Sequence, residues 1–295
     1  MKNLHTGFSK TELAESPYAR FYSPNLPSLQ SQVVEALLTG PVAHELMYPV
    51  ERASAILDDE LWPIENGYTV SPLGAIRVAC VTHMPAVEPK MWDWWFQWHS
   101  NNPQRYRLWH PKSHCSAHWK DGRTDLTHYI GRTSIITEFM GSKKAHGAIN
   151  FLPPSSLGLN EQTLAERGEV AICARISLPN TPINAGWLLH QIRPVKGGSE
   201  MRTRVWLGGE NVQFGYQTGT LFRLINLMAG QFSRLMTPSP ADLLVHNAQE
   251  MSHLASFLPQ LYKTFHSTAE CSTEQNSTDQ NAQAHHAKGI EGVQA

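Results

Sequence analysis

The strongest constraint on the fold is a change of hydrophobic period along the chain. From Gly67 to Gly209 apolar residues recur in short alternating runs, which predict β-strands, and from Thr220 they stand three and four apart, which predicts helix. Lys196-Gly197-Gly198 joins two of the runs and is typical of a hairpin turn. Pro72-Leu73-Gly74 breaks the first run and predicts another hairpin. The order predicts an α+β fold, in which an antiparallel sheet grips a long C-terminal helix and leaves a cavity between them.

Helical patterns flank and interrupt these strands. SLQSQVVEALLTG predicts a helix that ends at Gly40-Pro41, and short helical pieces follow, interrupted at Pro49. EPKMWDWWFQWHSN predicts a helix opened by Glu88-Pro89. RYRLWHPKSHCSAHWK is predicted to be a loop, because Pro111 disfavours a helical conformation at the residue before it. The C-terminal helices are predicted from two segments, LFRLINLMAGQFSRLM and PADLLVHNAQEMSHLASFLPQLYKTF.

The predicted organisation is a helical N-terminal region (1–65), a sheet-and-helix domain (66–266) and a tail (267–295). The tail begins with the polar stretch STAECSTEQNSTDQNAQAHHAKG, which has no Leu, Ile or Val, so we expect the tail to be disordered. The formal net charge is −1 and the Lys and Arg residues are scattered, which argues against nucleic acid as a partner. No apolar run approaches the roughly 20 residues of a membrane helix. Four cysteines without C-x-x-C spacing indicate free thiols and predict a cytoplasmic protein.

The stretch RLWHPKSHCSAHW places His110, His114 and His118 four residues apart between two tryptophans. They are either metal ligands or histidines of an aromatic-rich loop. Cys115 lies within the cluster and could also be a ligand, although a lone cysteine is more often small packing. Four more tryptophans fall in MWDWWFQWH, a density that suits the wall of a pocket for a flat ligand or a well-packed core.

A second candidate set lies in the C-terminal helix. His246 and Glu250 stand one helical turn apart and can point into the same space. Imidazole nitrogen and carboxylate oxygen are ligands that zinc accepts, but the spacing also occurs by chance in pairs on a helix surface. The apolar residues around the pair place this helix against a core. His253 could share the face, as an outer neighbour of the site or a surface residue.

Two further polar residues lie in predicted strands. Glu138 shares a strand face with Ile136, and His190 lies in AGWLLHQIRPV. A carboxylate that faces inward without a partner is costly. Glu138 therefore either meets a partner inside the domain or faces solvent, and His190 carries the same ambiguity.

Taken together, WWF-x-WH, RYRLWHP-x-x-H, the strand glutamate and the C-terminal H-x-x-x-E resemble the 2,4-diacetylphloroglucinol hydrolase family, which includes phloretin hydrolase. The resemblance covers roughly residues 20 to 265. It implies a Bet v 1-like helix-grip catalytic domain behind the helical N-terminal region. It also implies hydrolysis of the carbon–carbon bond between an acyl group and a polyhydroxylated ring, with a small aromatic ketone as substrate and a zinc ion as cofactor. We further expect a homodimer.

Carried over residue by residue, the resemblance implies that His114, Glu138, His246 and Glu250 hold the zinc. His190 is implied as the group that transfers a proton to the ring carbon, and Tyr106 as the group that orients a ring hydroxyl. Glu138 is thus both a ligand and a catalytic residue, while His110 and His118 would tune or gate the site.

Two positions depart from the family pattern. Ala117 stands where an asparagine is expected, and Val205 and Trp206 stand near the place of a second pocket tyrosine. Both of the replaced residues would contact substrate hydroxyls, so these departures bear on substrate identity and leave the metal set complete.

Two alternatives remain open from the sequence. The chain could be a non-catalytic carrier of a hydrophobic ligand with the same fold, which would purify without zinc. It could also be a zinc esterase, which zinc content would not distinguish from a carbon–carbon hydrolase, although the products would.

Overall fold

A computed structural model describes residues 5–58, 62–125, 127–215 and 237–267. Within these ranges the α-helices are α1 (Lys10–Glu15), α2 (Ser31–Thr39), α3 (Pro89–Trp98), α4 (Pro103–Trp109), α5 (Glu161–Arg167), α6 (Pro240–Ala255) and α7 (Leu258–Phe265). Short 3-10 helices connect them at Ala19–Phe21, His44–Leu46, Val50–Leu57, His99–Asn101, Pro154–Leu157 and Gly209–Asn211.

The described strands form one antiparallel sheet. They are β1 (Gly67–Val70), β2 (Ile76–Pro85), β3 (His114–Trp119), β4 (Thr133–Met140), β5 (Lys143–Leu152), β6 (Val170–Ser177), β7 (Ile183–Val195), β8 (Gly198–Leu207) and β9 (Gln213–Phe214). Their order is β1-β2-β8-β7-β6-β5-β4-β3, and β9 pairs with β7. Consecutive strands are neighbours from β3 to β8, so most connections are short hairpins.

The sheet curves around α6. This helix packs on β1 and β2 near one edge and on β4 near the other. Strands lie about 4.8 Å apart, so β2 and β4, five steps apart, would be about 24 Å from each other in a flat sheet. A helix is only about 10 Å across, so it touches both strands only if the sheet wraps around it. The predicted α+β fold, with an antiparallel sheet gripping a C-terminal helix, is confirmed.

The two faces of the sheet are covered by different parts of the chain. On the inner face Leu207 of β8 packs in one cluster with Leu243 and Leu244 of α6. On the outer face Trp206 of β8 packs with Ile56, and its indole N–H donates to the carbonyl of Tyr48. The segment before β1 therefore shields the outer face, and the inner face is left to α6 and a cavity.

Several predicted elements are confirmed in detail. The hairpin turn at Lys196-Gly197 joins β7 to β8, with Val195 paired to Gly198. Helix α2 ends at Gly40, which adopts a positive φ of 82°. The C-terminal helix is broken, however, into α6 and α7. Pro259 lacks the N–H that a continuous helix would need to bond the carbonyl of Ala255, which explains the break.

The predicted loop over residues 105–120 is wrong. Asn102 caps α4 by accepting from the backbone N–H of Gln104, and the helix runs to Trp109. Strand β3 begins at His114. The effect expected of Pro111 is present, because His110 before it is extended and the helix has already ended.

Two predictions lie outside the described residues, namely the helix expected in LFRLINLMAGQFSRLM and the disorder expected of the tail. Among the residues that the structure describes, no helix combines the length and apolar character that crossing a membrane requires.

Candidate metal centre

A β-bulge in β3 turns His114 towards the interior. Trp119 and Ala117 are buried, and His118 between them is exposed, as the two-residue period of a strand requires. Unbroken alternation would bury Cys115 and expose His114. The pairing with β4 shifts between His114 and Ser116, so both Cys115 and His114 are buried. Bulges of this kind re-aim side chains next to functional sites.

Glu138 lies directly opposite His114. The two residues pair across β3 and β4, and the Glu138 side chain is only 7% exposed. Its Oε2 lies 3.4 Å from His114 Nε2. The inward orientation that the sequence left open is therefore the one adopted.

Helix α6 brings the other two predicted ligands to the same point. His246 and Glu250 stand on one face of the helix, with the His246 Nε2 3.6 Å from Glu250 Oε2. Glu250 Oε2 lies 3.3 Å from His114 Nε2, and His246 Nε2 lies 3.7 Å from Glu138 Oε2. Two strands and one helix thus converge on a single cluster of four side chains, which we call the His–Glu cluster.

Four distances between these atoms are close to those between neighbouring ligands of a tetrahedral metal site. Zinc bonds to His nitrogen and carboxylate oxygen at about 2.0–2.2 Å, so neighbouring ligand atoms of a tetrahedron stand roughly 3.3–3.6 Å apart. The four measured nitrogen–oxygen distances run from 3.3 to 3.7 Å. His114, Glu138 and His246 form a group whose ligand atoms all lie within 4.8 Å of one another, and Glu250 is not part of this group.

Both imidazoles are held in the tautomer that frees Nε2. His114 Nδ1 lies 3.0 Å from the carbonyl oxygen of Tyr106, which can only accept, so Nδ1 carries the proton. His114 Nε2 has no hydrogen-bond partner among the described residues. Ser113 donates its hydroxyl proton to the carbonyl of Phe139, and it therefore accepts from His246 Nδ1 at 3.1 Å. Each Nε2 lone pair is left to face the cluster, as a metal ligand requires.

The pKa values of all four cluster residues are shifted towards their neutral forms. Burial raises the pKa of Glu138 to about 7, although the Tyr106 hydrogen bond opposes this. Burial and the charge of Glu138 raise the pKa of Glu250 well above its usual value. Burial also lowers the pKa values of His114 and His246 well below 6.5, and the neighbouring imidazoles lower them further. The histidines are therefore neutral, and the described side chains offer the two carboxylates no compensating charge. A divalent ion would supply it.

Tyr106 supports two of the four residues. Its ring stacks on His114, with centroids 3.9 Å apart and planes 4° from parallel. Its hydroxyl donates a short hydrogen bond to Glu138 Oε2. Tyr106 thus fixes the His114 ring plane and the Glu138 carboxylate together.

Glu138, His246 and Glu250 of the cluster line a cavity of about 590 Å³ between the sheet and α6, and His114 lies behind them. His190 of β7 lines the same cavity and is buried. Its Nδ1 lies 2.8 Å from Thr203 Oγ1, and its ring stacks on Phe96. Burial lowers the pKa of His190 to about 3, so the ring is neutral. Most of the remaining cavity wall is apolar, including Ile136, Met140, Ile149, Leu188, Val205 and Leu243.

The other sequence candidates lie in different places. His110 stacks on His246 with centroids 5.0 Å apart, whereas His118 is exposed. His253 Nδ1 lies 2.9 Å from the carbonyl of Trp109, whose indole donates to the carbonyl of Glu250. These bonds tie α4 to α6. Cys115 is buried, and its thiol contacts the carbonyl of Ser113.

The tryptophans of α3 pack in the core, so α3 presents other residues to the cavity. Trp92, Trp95 and Trp98 are at most 1% exposed, and the cavity receives Phe96 and His99 from this segment. Sequence reasoning missed His99 and Ser113. The four-residue spacing of Trp95 and His99 was a usable signal for the first, but no local signal identifies the second.

Comparison with known families matches residues 47–263 to the model described as the DAPG hydrolase PhiG domain. The chain belongs to the DAPG hydrolase family. The membership implied by the sequence motifs is confirmed, and so is the enzyme class, since the family is one of hydrolases.

The alignments of this DAPG hydrolase family member with two relatives each cover most of this chain and most of the relative. The chain is 26% identical over 268 residues to a 2,4-diacetylphloroglucinol hydrolase from a Pseudomonas species, covering 87% of this chain and 91% of the relative. It is 27% identical over 259 residues to phloretin hydrolase from Eubacterium ramulus, covering 83% and 89%. Among solved structures it is similar to Ara h 8.0201, at 12% identity and a TM-score of 0.31, covering 62% of this chain and 99% of that one.

The two departures from the family pattern lie in different strands, one in β8 and one in β3. Val205 lines the cavity, whereas Trp206 faces the outer side and bonds to Tyr48. Ala117 is fully buried in β3. A valine and an alanine therefore stand where polar side chains were expected.

Proposed function

We propose that this protein is a zinc-dependent hydrolase that cleaves the carbon–carbon bond between an acyl group and a polyhydroxylated aromatic ring. The observation that carries the proposal is the His–Glu cluster beside an apolar cavity: His114, Glu138 and His246 have ligand atoms within 4.8 Å of one another, and Glu250 Oε2 lies 3.3 Å from His114 Nε2. Family membership and the names of the relatives support the reaction type.

His114, Glu138, His246 and Glu250 would hold the ion through Nε2 and carboxylate oxygens. A bound zinc ion supplies a Lewis acid that polarises a carbonyl group and makes water more acidic. The two imidazoles stay neutral because they are buried and their Nδ1 protons are engaged by Tyr106 and Ser113. The protein therefore prepares the site for a cation before one binds.

His190 is the proposed proton carrier. Hydrolysis adds a hydroxyl group from water to the acyl carbon and a proton to the ring carbon, as the bond between these two carbons breaks. Neutral His190 can accept the proton that water loses and then deliver it to the ring carbon. Because burial lowers its pKa to about 3, the protonated ring would release the proton readily, while uptake of the proton from water is the unfavourable half of the transfer.

Tyr106 and the apolar wall would position the aromatic ring. The Tyr106 hydroxyl donates to Glu138, so its remaining lone pairs can accept from a ring hydroxyl beside the acyl group. The surrounding aliphatic residues exclude water from the leaving ring, whose charge is delocalised onto its hydroxyl oxygens. Val205 and Ala117 offer no polar contact, so we expect a substrate with fewer hydroxyl contacts, or another acyl group, than diacetylphloroglucinol.

The test is product analysis by mass spectrometry after incubation with a panel of acylphloroglucinols and matched aryl esters. The expected products are a carboxylic acid and the deacylated ring. Turnover of esters alone would contradict carbon–carbon cleavage and favour an esterase. Ligand binding without any turnover, unchanged by a chelator, would indicate a carrier.

A homodimer and a cytoplasmic location are retained as predictions. Light scattering of the purified full chain tests the first, and fractionation of the source cells tests the second.

A further inference from the structure

A chain of three buried hydroxyl and imidazole groups reaches the cavity away from the His–Glu cluster. His99 Nδ1 lies 3.0 Å from the carbonyl of Trp95. His99 Nε2 lies 3.1 Å from Ser100 Oγ, which lies 2.9 Å from Ser134 Oγ. His99 and Ser134 both line the cavity, and all three side chains are at most 2% exposed.

The carbonyl at one end fixes the direction of every hydrogen bond in this chain. A carbonyl only accepts, so His99 carries its proton on Nδ1 and its Nε2 must accept. Burial lowers the pKa of His99 to about 4, which keeps the ring neutral. Ser100 therefore donates to Nε2, and Ser134 in turn donates to Ser100. The Ser134 hydroxyl proton is thereby used, and Ser134 can only accept from a molecule in the cavity.

Ser134 lies at a defined distance from the metal centre. Ser134, Ile136 and Glu138 alternate along β4 and all line the cavity. Ser134 and Glu138 are four positions apart in the strand, so their Cα atoms are about 13 Å apart. The aliphatic Ile136 lies between them. The cavity therefore has two polar points on one strand with an apolar surface between.

We propose that Ser134, held as an acceptor by Ser100 and His99, binds a hydroxyl group on the far end of the substrate's acyl arm. This inference rests on the proposed function, which places the acyl carbonyl at the His–Glu cluster. A hydroxyl on the acylated ring stands at most one ring width from the carbonyl. An acyl arm that ends in a hydroxylated ring reaches further, and its linker would lie on Ile136. The substrate class is thus a two-ring aryl ketone with a phenolic hydrogen-bond donor remote from the scissile bond.

The probes are phloretin and two analogues, one lacking the hydroxyl of the far ring and one carrying a methoxy group there. We expect the wild-type protein to prefer phloretin over both analogues by about tenfold in kcat/KM, since a lost donor leaves a buried acceptor unpaired. Ser134→Ala should reduce this preference to near unity.

Ser100→Ala separates this role from a merely structural one. Without Ser100 the Ser134 hydroxyl is free to donate, and it can bond to the methoxy oxygen. The preference for phloretin over the methoxy analogue should therefore fall about tenfold, while the preference over the analogue without oxygen changes less. Ser116→Ala, on β3 and not part of the cavity wall, is the matched control and should keep all wild-type preferences.

Calorimetric binding of the same compounds should give the same ranking without turnover. If the wild-type protein binds the compounds with this ranking but cleaves none, the proposed hydrolase is contradicted and the Ser134 assignment stands. If it binds or cleaves all of them equally well, or if Ser134→Ala keeps the wild-type preference, the Ser134 assignment is overturned and the hydrolase is untouched.

Discussion

Two groups of buried charged residues lie on opposite faces of the sheet, and they differ in how their charges are compensated. On the inner face the His–Glu cluster combines two carboxylates with two neutral imidazoles. On the outer face Glu65 forms an ion pair with Arg202 at 2.5 Å. It forms a second, short ion pair with Arg204. Arg202 also donates to the carbonyl of Ile56 and to Gln191. We call this second group the Glu–Arg cluster.

The pKa directions of the carboxyl groups show the contrast. Burial alone would raise the pKa of Glu65, but hydrogen bonds and charges from Arg202 and Arg204 outweigh it, and the pKa lies below its usual value. In the His–Glu cluster burial raises the pKa of Glu138 to about 7, and it raises that of Glu250 well above its usual value. The carboxylate of the Glu–Arg cluster is compensated by neighbouring guanidinium groups, whereas the described residues give the carboxylates of the His–Glu cluster no positive partner.

The comparison distinguishes a structural use of buried charge from a functional one. The Glu–Arg cluster links the segment before β1 to strand β8, so it holds the N-terminal cover on the sheet. The His–Glu cluster costs stability in the absence of a ligand and offers its lone pairs to a cavity. Changing one cluster should therefore alter folding, and changing the other should alter metal binding and catalysis.

The largest expected effect is the loss of metal and activity together on substitution of the His–Glu cluster. His114→Ala removes one of the four proposed ligands and should lower zinc content and turnover in parallel, and Ala at Glu138, His246 or Glu250 should do the same. Elemental analysis and kinetics check this. His118→Ala is the control, since that side chain is exposed. Full zinc in His114→Ala, with zinc lost from His110→Ala or His118→Ala, would show that the wrong histidine was chosen.

The next effect separates catalysis from metal binding within the same cavity. His190→Gln should lower kcat by about 10²- to 10⁴-fold, the usual contribution of a proton-transfer group. Zinc content should stay at the wild-type level, because His190 bonds to Thr203 and not to the cluster. A parallel fall in zinc would place His190 in metal binding instead.

Breaking the Glu–Arg cluster should destabilise the fold without affecting the metal. Glu65→Gln leaves two buried guanidinium groups without their counter-charge, which typically costs about 3 kcal/mol or more. Chemical denaturation measures the loss, and zinc per folded chain should be unchanged. Since the folded-state pKa of Glu65 is lowered, its contribution is present above the unfolded value of about 4.5 and is lost as the pH falls. The stability difference between wild type and variant should shrink accordingly in acid.

A smaller effect is expected from the support of His246. Ser113→Ala removes the acceptor for the Nδ1 proton, and such outer partners typically change metal affinity by about 10- to 100-fold. Competition with a chromophoric chelator measures the change. Ser116→Ala, three positions further along the chain in β3, is a matched control, and an equal loss there would rule out a specific role for Ser113.

The smallest effect is expected from the tail. Its composition cannot form a core, so a chain ending at Ser267 should keep its melting temperature and its turnover. A large drop in melting temperature on truncation would contradict this.

Periodicity predicted most of the sheet, because its strands alternate cleanly and its turns carry glycine. The histidine stretch was wrongly predicted to be a loop for two reasons. The bulge at Cys115 hides the alternation of β3, and Pro111 suggested a break over a wider range than the two residues it affects. A better signal was available in Asn102-Pro103, an N-cap followed by the proline that favours a first helical turn.

The complete set of proposed ligands could be predicted only through the family resemblance. His114 and Glu138 are 24 positions apart, and only their direct pairing across β3 and β4 brings them together. Spacing predicted His246 with Glu250, since both lie on one helix. The residues that orient the ligands, such as Ser113, depend on contacts between distant segments that no local pattern encodes.

The central claim is that one zinc ion is held by His114, Glu138, His246 and Glu250. The most direct measurement is a crystal structure of the full chain with anomalous diffraction at the zinc edge. The account predicts one anomalous peak per chain, bonded to both Nε2 atoms and to an oxygen of each carboxylate at about 2.0–2.2 Å. No peak at this cluster in protein grown and purified with zinc, or a peak bound elsewhere, would contradict it.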